Sequence, residues 1–294
     1  MNYLLYVISL IAVYGILTVA LNLAVGYTGI LSLAQAAFMG IGAYAAAILL
    51  TQWGFNFFYA LPVGMAIAGL LGAGLAWATL RLKAEYYVIA SFGFQIIIYN
   101  ILLNWIGLTA GPFGIRQIPP PAAFGFTFLG PLRFTALTLG FLAICVWVAW
   151  RLGESAFGKV LRAIREDDAA AASIGKNVSR YKIVIFTVSA MLASIGGALY
   201  ACLITFIDPF TFTIHESIFI LALVIIGGSG NVFGSVIGAA VLISIPEMLR
   251  FFDVPTTVAS PIREILYGAL MIIFLRFRPK GLLPERITTG VARS

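Results

Sequence analysis

The sequence predicts an all-α integral membrane protein, a single polytopic bundle of about eight to ten transmembrane helices, broken or half-length ones among them. Three observations predict it. Hydrophobic residues make up 62% of the chain and charged residues 10%, whereas soluble domains carry roughly 25% charged residues. Mean hydropathy is +1.04. Apolar runs of about 20 residues, enough to cross a hydrocarbon layer of roughly 30 Å, recur along the sequence. With so few charges, lipid must be the solvent for much of the surface, and backbone groups in lipid are satisfied only inside helices or closed barrels. The alternating pattern of a membrane barrel is absent.

In chain order, spans are expected at 4–24, 30–50, 59–80, 88–106, 134–150, 183–206, 217–226, 232–249 and 265–275, nine in all, with 217–226 and 265–275 short for a full crossing. The first charged residue is Arg81, so the run 1–24 lacks the basic flank of a removable signal peptide and reads as a retained helix. Cys145 and Cys202 sit inside apolar runs, where packing is a better reading than a disulfide or metal role.

Basic residues cluster on one side of this count. Arg81 and Lys83 share one loop; Arg151, Lys159, Arg162, Arg165, Lys176, Arg180 and Lys182 share another; Arg276, Arg278, Lys280, Arg286 and Arg293 lie in the tail. The opposite loops hold only Arg116, Arg133, Arg250 and Arg263. The positive-inside bias therefore places the first group in the cytoplasm and the N-terminus outside. The net charge of +7 follows these loops, so the surroundings it implies are membrane lipid, with no nucleic-acid partner.

The outer loop 107–133 contains Gly111-Pro112 and Pro119-Pro120-Pro121, which disfavour helix and favour a stiff extended segment. It serves either as a connector or as a surface for an external partner. In the cytoplasmic loop 151–182, Phe157, Val160, Leu161 and Ile164 repeat at helical spacing. Asp167 or Asp168 is placed to cap a second, alanine-rich helix, Gly175 to end it, and Ser179 to cap the next span. This is a helix-break-helix module whose small side chains permit close approach by another surface; the blander reading is a solvated connection. The stretch from Gly153 to Lys159 matches most of a phosphate-binding loop. Val160 stands where a hydroxyl should hold magnesium, and no strand precedes it, so the match is accidental.

Two apolar stretches are interrupted by glycine. Gly26-Tyr27-Thr28-Gly29 leads into Ser32 and Gln35, and Gly227-Gly228-Ser229-Gly230 leads into Asn231. Paired breaks in the two halves of a membrane chain point to a translocation pathway, which makes Gly26, Gly29, Ser32, Gln35, Gly227, Gly228, Gly230 and Asn231 its candidate residues. Tight helix packing through small residues is the competing and compatible reading. Asn22, Gln35, Gln95, Asn100, Asn104 and Glu247 are polar groups within or near spans; they serve as helix glue or as the lining of a path for neutral or zwitterionic solutes. His215, with Asp208 and Glu216 nearby in sequence, is too sparse a set for a metal centre. Catalytic, cofactor and metal residues are not expected, and the chain is not read as an enzyme.

The segments LNLAVGYTGILSLAQAAFMGIGAYAA (21–46), LTAGPFGI (108–115), FGKVLRAIREDDAAAASIGKNVSRYKIVIFTVSAMLASIGGALYA (157–201), GGSGNVFGSVIGAA (227–240) and FRPKGLL (277–283) together carry a resemblance. The chain resembles, over nearly its whole length, the permease subunits of ATP-binding-cassette importers for branched-chain amino acids, of the LivM type. The resemblance implies a second, LivH-like permease, two cytoplasmic ATP-binding subunits that hydrolyse the ATP, and an external amino-acid-binding protein. It also implies a bacterial plasma-membrane location and no cofactor on this chain. The loop around Arg162, Arg165, Glu166, Asp167, Asp168, Ala170, Ala171 and Gly175 looks like the segment that couples to the ATPases. Ala170, Ala171 and Gly175 match the general Glu-Ala-Ala…Gly pattern, while Ala169 replaces its Glu. Rival readings are a related permease for sugars, urea or short amides, and an ion-gradient carrier. The carrier would need ionisable residues at mid-span, where this sequence offers mainly Glu247. A non-transporting scaffold would need neither the paired breaks nor the basic loop.

Overall fold

A computed structural model describes residues 2–79, 84–123 and 126–249, together with 268, 276 and 281–283. The expected span at 265–275, the basic residues Arg81, Lys83, Arg250 and Arg263, the side chain of Glu247 and most of the tail lie outside the described residues.

The described helices are α1 (Asn2–Thr28), α2 (Gln35–Thr51), α3 (Phe57–Thr79), α4 (Ala84–Asn104), α5 (Ile106–Thr109), α6 (Pro131–Glu154), α7 (Ala156–Glu166), α8 (Asp168–Ser173), α9 (Val178–Ile204), α10 (Ile214–Gly227) and α11 (Val232–Leu249). Among the described residues, five helices (α1, α3, α4, α6 and α9) are long and apolar enough to cross a membrane, or six if the pair α10–α11, bent by 117°, counts as one broken span. The stretches expected at 30–50, 217–226 and 232–249 are the shorter helix α2 and the bent pair α10–α11, the broken or half-length helices that the sequence predicts. Helix α2 is shorter than a full span because residues 29–34 stay out of it. Gly29 adopts φ +70°, and hydroxyls compete for the backbone there: Thr28 Oγ1 accepts from Ile30 N at 3.2 Å and Ser32 Oγ from Ala34 N at 3.4 Å.

Helix α9 is the axis of the bundle, packed against α1, α2 and α3. Its most apolar window is 67% buried, against 28% for α4 at the periphery. Without a hydrophobic force between helices in lipid, close backbone approach has to supply the attraction, and α2 and α9 meet in that way. A Cβ on Gly197 would lie 1.9 Å from the Met39 carbonyl oxygen, and one on Gly42 would lie 2.1 Å from that of Ser194.

The connections sort to two ends. At one, the 107–133 loop is more structured than its prolines predict. It forms a 3-10 turn at Gly111–Phe113 and the strands β1 (Ile115–Arg116), β2 (Ala122–Ala123) and β3 (Phe126–Thr127). Strand β1 pairs antiparallel with β4 (Phe206–Ile207) beyond α9, and β2 with β3. Gln52 Nε2 donates to Leu108 O at 3.4 Å at this end. At the other end lie the 28–35 and 227–232 breaks and the α7–α8 module. Helix α6 joins the two ends, running parallel to α1: Thr135 meets Ser9 at 2.8 Å, and Gly153 lies against Tyr27. The basic loop 151–182 therefore sits opposite the 107–133 loop, as the charge pattern requires.

Candidate functional site

Helix α7 is amphipathic. Leu161 and Ile164, 1% and 2% exposed, face the bundle, and Phe157 stacks on Tyr181 of α9 with ring centroids 4.9 Å apart. Ser155 caps α7, its Oγ accepting from Gly158 N at 3.3 Å. The stretch from Gly153 to Lys159 is thus the end of one helix and the start of another. Asp167 ends α7 and starts α8: its Oδ1 accepts from Ala169 N at 2.8 Å and Ala170 N at 3.1 Å, which satisfies the first orphan donors of α8. Asp168 pairs with Lys182 Nζ at 2.5 Å. Gly175 closes the module at φ +78°, a left-handed conformation that glycine adopts without strain. The expected cap of α9 at Ser179 is corrected. Asn177 caps it, with Oδ1 accepting from Arg180 N at 3.1 Å, because the helix starts earlier than its apolar run.

The structure brings the two glycine breaks together beneath this module. Gly26 lies against the backbone of Gly230: a Cβ on Gly26 would be 2.4 Å from Gly230 N, so only glycine fits. Asn22, one turn earlier on α1, is fully buried and laces the contact. Its Oδ1 accepts from Gly230 N at 2.8 Å; its Nδ2 donates to Asn231 O at 2.9 Å and Ser235 Oγ at 2.6 Å. Asn231 in turn caps α11, Oδ1 accepting from Phe233 N and Gly234 N at 3.1 Å each. The described tail residues join from the far side, Leu282 N donating to Ile226 O at 2.8 Å and Leu283 N to Gly227 O at 3.1 Å.

Module and breaks are in direct contact. Arg165 Nη1 donates to Gly26 O at 2.5 Å, and the Arg162 guanidinium stands 5.2 Å from the Tyr27 ring centroid, within cation–π range. Arg162 and Arg165 are half-buried; Glu166, Asp167, Asp168, Ala170 and Gly175 are exposed, and Ala171 is buried. Ile174, which the sequence reading did not single out, is an apolar side chain 69% exposed at the tip of the module. Its signal was available: an isoleucine beside a helix-ending glycine, in an otherwise polar and small-sided turn.

Of the candidate pathway residues, Gly26, Ser32, Gln35, Gly227, Gly228 and Gly230 are buried, Asn231 is half-buried and Gly29 is exposed. They do not form one group. Gln35 opens α2 further along α1, Nε2 donating to Leu17 O at 3.1 Å. The first turn of α2 is held from outside. Ala37 N donates to Gln95 Oε1 at 2.7 Å, Ala36 N to Ser217 Oγ at 2.9 Å, and Leu33 N, just before it, to Ser91 Oγ at 3.0 Å. Gln95 and Ser91 of α4 and Ser217 of α10 thus supply the partners that a helix start lacks. Asn100 and Asn104 remain on the exposed side of α4. At the opposite end Asp208 caps a 3-10 turn through Thr211 N at 2.9 Å. His215 is exposed, and Glu216 accepts from Tyr14 Oη at 2.6 Å. Among the described residues no cluster of three metal-ligating side chains occurs.

A family model described as the permease component of branched-chain amino acid transport systems matches residues 3–275. The high-affinity branched-chain amino acid transport system permease protein LivM of Escherichia coli K12 is 33% identical over 299 residues, covering 94% of this chain and 69% of the relative. A probable LivM of Methanocaldococcus jannaschii is 24% identical over 93% of this chain and 91% of its own length. The autoinducer 2 import system permease protein LsrC of Escherichia coli O9:H4 is 28% identical over 75% of this chain and 65% of its own length. No solved structure matches.

Proposed function

Since this chain belongs to the permease family of branched-chain amino acid transport systems, we propose that it forms one wall of the membrane pathway of an ATP-driven importer for branched-chain or other hydrophobic amino acids, in a bacterial plasma membrane. Its partners in this reading are a LivH-like second permease, two cytoplasmic ATP-binding subunits and an external amino-acid-binding protein. The ATP is hydrolysed by those subunits, and this chain contributes movement rather than chemistry.

The observation that carries the mechanism is the contact of Arg165 with the carbonyl of Gly26. ATP-driven closure of the ATPase pair presses on the exposed face of α8 and on Ile174. The stiff, capped module transmits the push through Arg165 and Arg162 to the inner end of α1. Gly26 and Gly230 are packed backbone to backbone, so the end of α1 cannot move without shifting the α10–α11 break. A packed joint of this kind switches between discrete arrangements instead of deforming continuously. The pathway residues Gly26, Gly29, Ser32, Gln35, Gly227, Gly228, Gly230 and Asn231 act in this reading as the moving inner frame of the path.

The test is reconstitution of the complex from its native membrane with radiolabelled leucine. A cysteine at Ala170 or Gly175 is expected to crosslink to an ATPase subunit, with uptake dependent on ATP. A chain that crosslinks to nothing and moves leucine only under an ion gradient would overturn the proposal. The likeness to LsrC supports a second reading, a permease for a different small polar solute; autoinducer 2, and not leucine, would then be the transported competitor.

A further inference from the structure

Helix α4 has two unlike sides. One carries Ser91 and Gln95, 0% and 1% exposed, which hold the start of α2; Gln95 Nε2 also donates to Phe212 O at 2.8 Å, ahead of α10. The other side is an exposed stripe at helical spacing, with Ile96, Ile97, Ile101 and Trp105 between 41% and 58% exposed and Asn100 and Asn104 exposed among them. These six line a shallow, open surface depression of about 600 Å³. The exposed sides of the other peripheral spans differ. Val63, Ile67, Leu70 and Leu71 cover α3, and Leu139, Ile144 and Trp147 cover α6, with no amide among the exposed residues of either helix's middle turns. Those are surfaces suited to lipid. A pair of amides on an otherwise apolar, outward stripe, Asn104 at the outer end of the helix and Asn100 one turn inside it, is not, because polar side chains within a span face protein or water.

We infer that the Ile96–Asn104 stripe of α4 is the substrate-facing wall of this chain, and that its depression takes a small apolar amino acid, the isoleucines and Trp105 meeting the side chain while Asn100 and Asn104 meet the charged backbone groups. The inference rests on the importer reading and adds the face and the contacts. Each asparagine spends one amide N–H on its own helix, Asn100 Nδ2 donating to Ile96 O and Asn104 Nδ2 to Asn100 O, both at 2.8 Å. The second N–H and the carbonyl oxygen of each remain for a ligand: a donor for a carboxylate and an acceptor for an ammonium. Because the hidden side of the same helix grips α2 and the turn before α10, movement of the glycine joint would reach the depression through Ser91 and Gln95.

Single cysteines at Ile97, Asn100 and Asn104, with Ile67→Cys and Leu139→Cys as controls, are to be labelled with a charged, water-soluble methanethiosulfonate in the complete complex reconstituted in liposomes. The native Cys145 and Cys202 are buried, and the unmutated complex sets their background. The expected result is rapid labelling at Ile97, Asn100 and Asn104, slowed by leucine, and labelling at background for both controls. In parallel, Asn100→Leu should lower kcat/KM for leucine on the order of tenfold, the loss of one polar contact, with Asn100→Gln recovering much of it. If the α4 cysteines behave like the controls, or label equally with and without leucine in a complex that still imports it, the wall assignment is overturned and the importer reading stands. Failure of the unmutated complex to import any branched-chain amino acid with ATP overturns the importer reading and this inference with it.

Discussion

Asn22 engages three groups across the α10–α11 break through a single amide, and no partner can be replaced by water in a site closed to solvent. Asn22→Leu leaves the Gly230 N–H without its acceptor, at about 1–3 kcal/mol, while the Asn231 carbonyl and the Ser235 hydroxyl lose one donor each and keep their bond to one another. The expected outcome is a clear drop in the melting temperature of the detergent-purified complex. Gly26→Ala should be worse, since its methyl would sit 2.4 Å from Gly230 N, and folded protein should be lost from the membrane fraction. A melting temperature unchanged by either substitution would sink the joint as described. At this scale the sequence is partly legible. Glycine pairs and intramembrane amides announce themselves, but which amide serves which glycine depends on contacts more than 200 residues apart. Asn22 was visible as a polar residue in a span, whereas its place at the joint was not.

The α7–α8 module shows how local signals survive at the scale of an element. Apolar spacing, an aspartate cap and a terminating glycine are short-range features, and the structure follows them almost residue by residue. The misplaced cap of α9 has the same origin: hydropathy marks where a helix enters lipid, whereas the chain begins to coil two residues before Ser179, at Asn177. Asp167→Ala removes the side-chain cap of α8, at about 1 kcal/mol, and should lower uptake more than it lowers the amount of complex recovered. Ile174→Glu places a charge at the exposed tip without touching the bundle. In the importer reading it is expected to leave this chain folded while ATPase recovery and ATP-driven uptake fall together. Retention of both at normal levels would remove Ile174 from the contact. The half-length helices that the sequence predicts are present among the described residues as α2, α10 and α11. Composition registers apolar length, but where these mainly apolar helices begin and end is set by hydroxyl–backbone bonds before α2 and by the 117° bend between α10 and α11.

For the whole molecule, the charge asymmetry and the geometry agree on orientation. The basic module and the 107–133 loop occupy opposite ends of α6. A cysteine at Ser173 should therefore react with an impermeant maleimide only from the cytoplasmic face, and one at Gln117 only from outside; the reverse pattern would invert the topology. The general architecture was legible because solvent dictates it, but the meeting of the two breaks was not, since nothing in periodicity fixes which helix ends converge. The docking of Gly281 to Leu283 on the end of α10 also bears on how the protein is made. The carbonyls of Ile226 and Gly227 receive their donors from a segment that leaves the ribosome several seconds later, at roughly 5–20 residues per second. Until then those two carbonyls lack the donors that the folded chain gives them. The joint between the two breaks is thus completed only once residues 281–283 have been made, long after the helices that meet there.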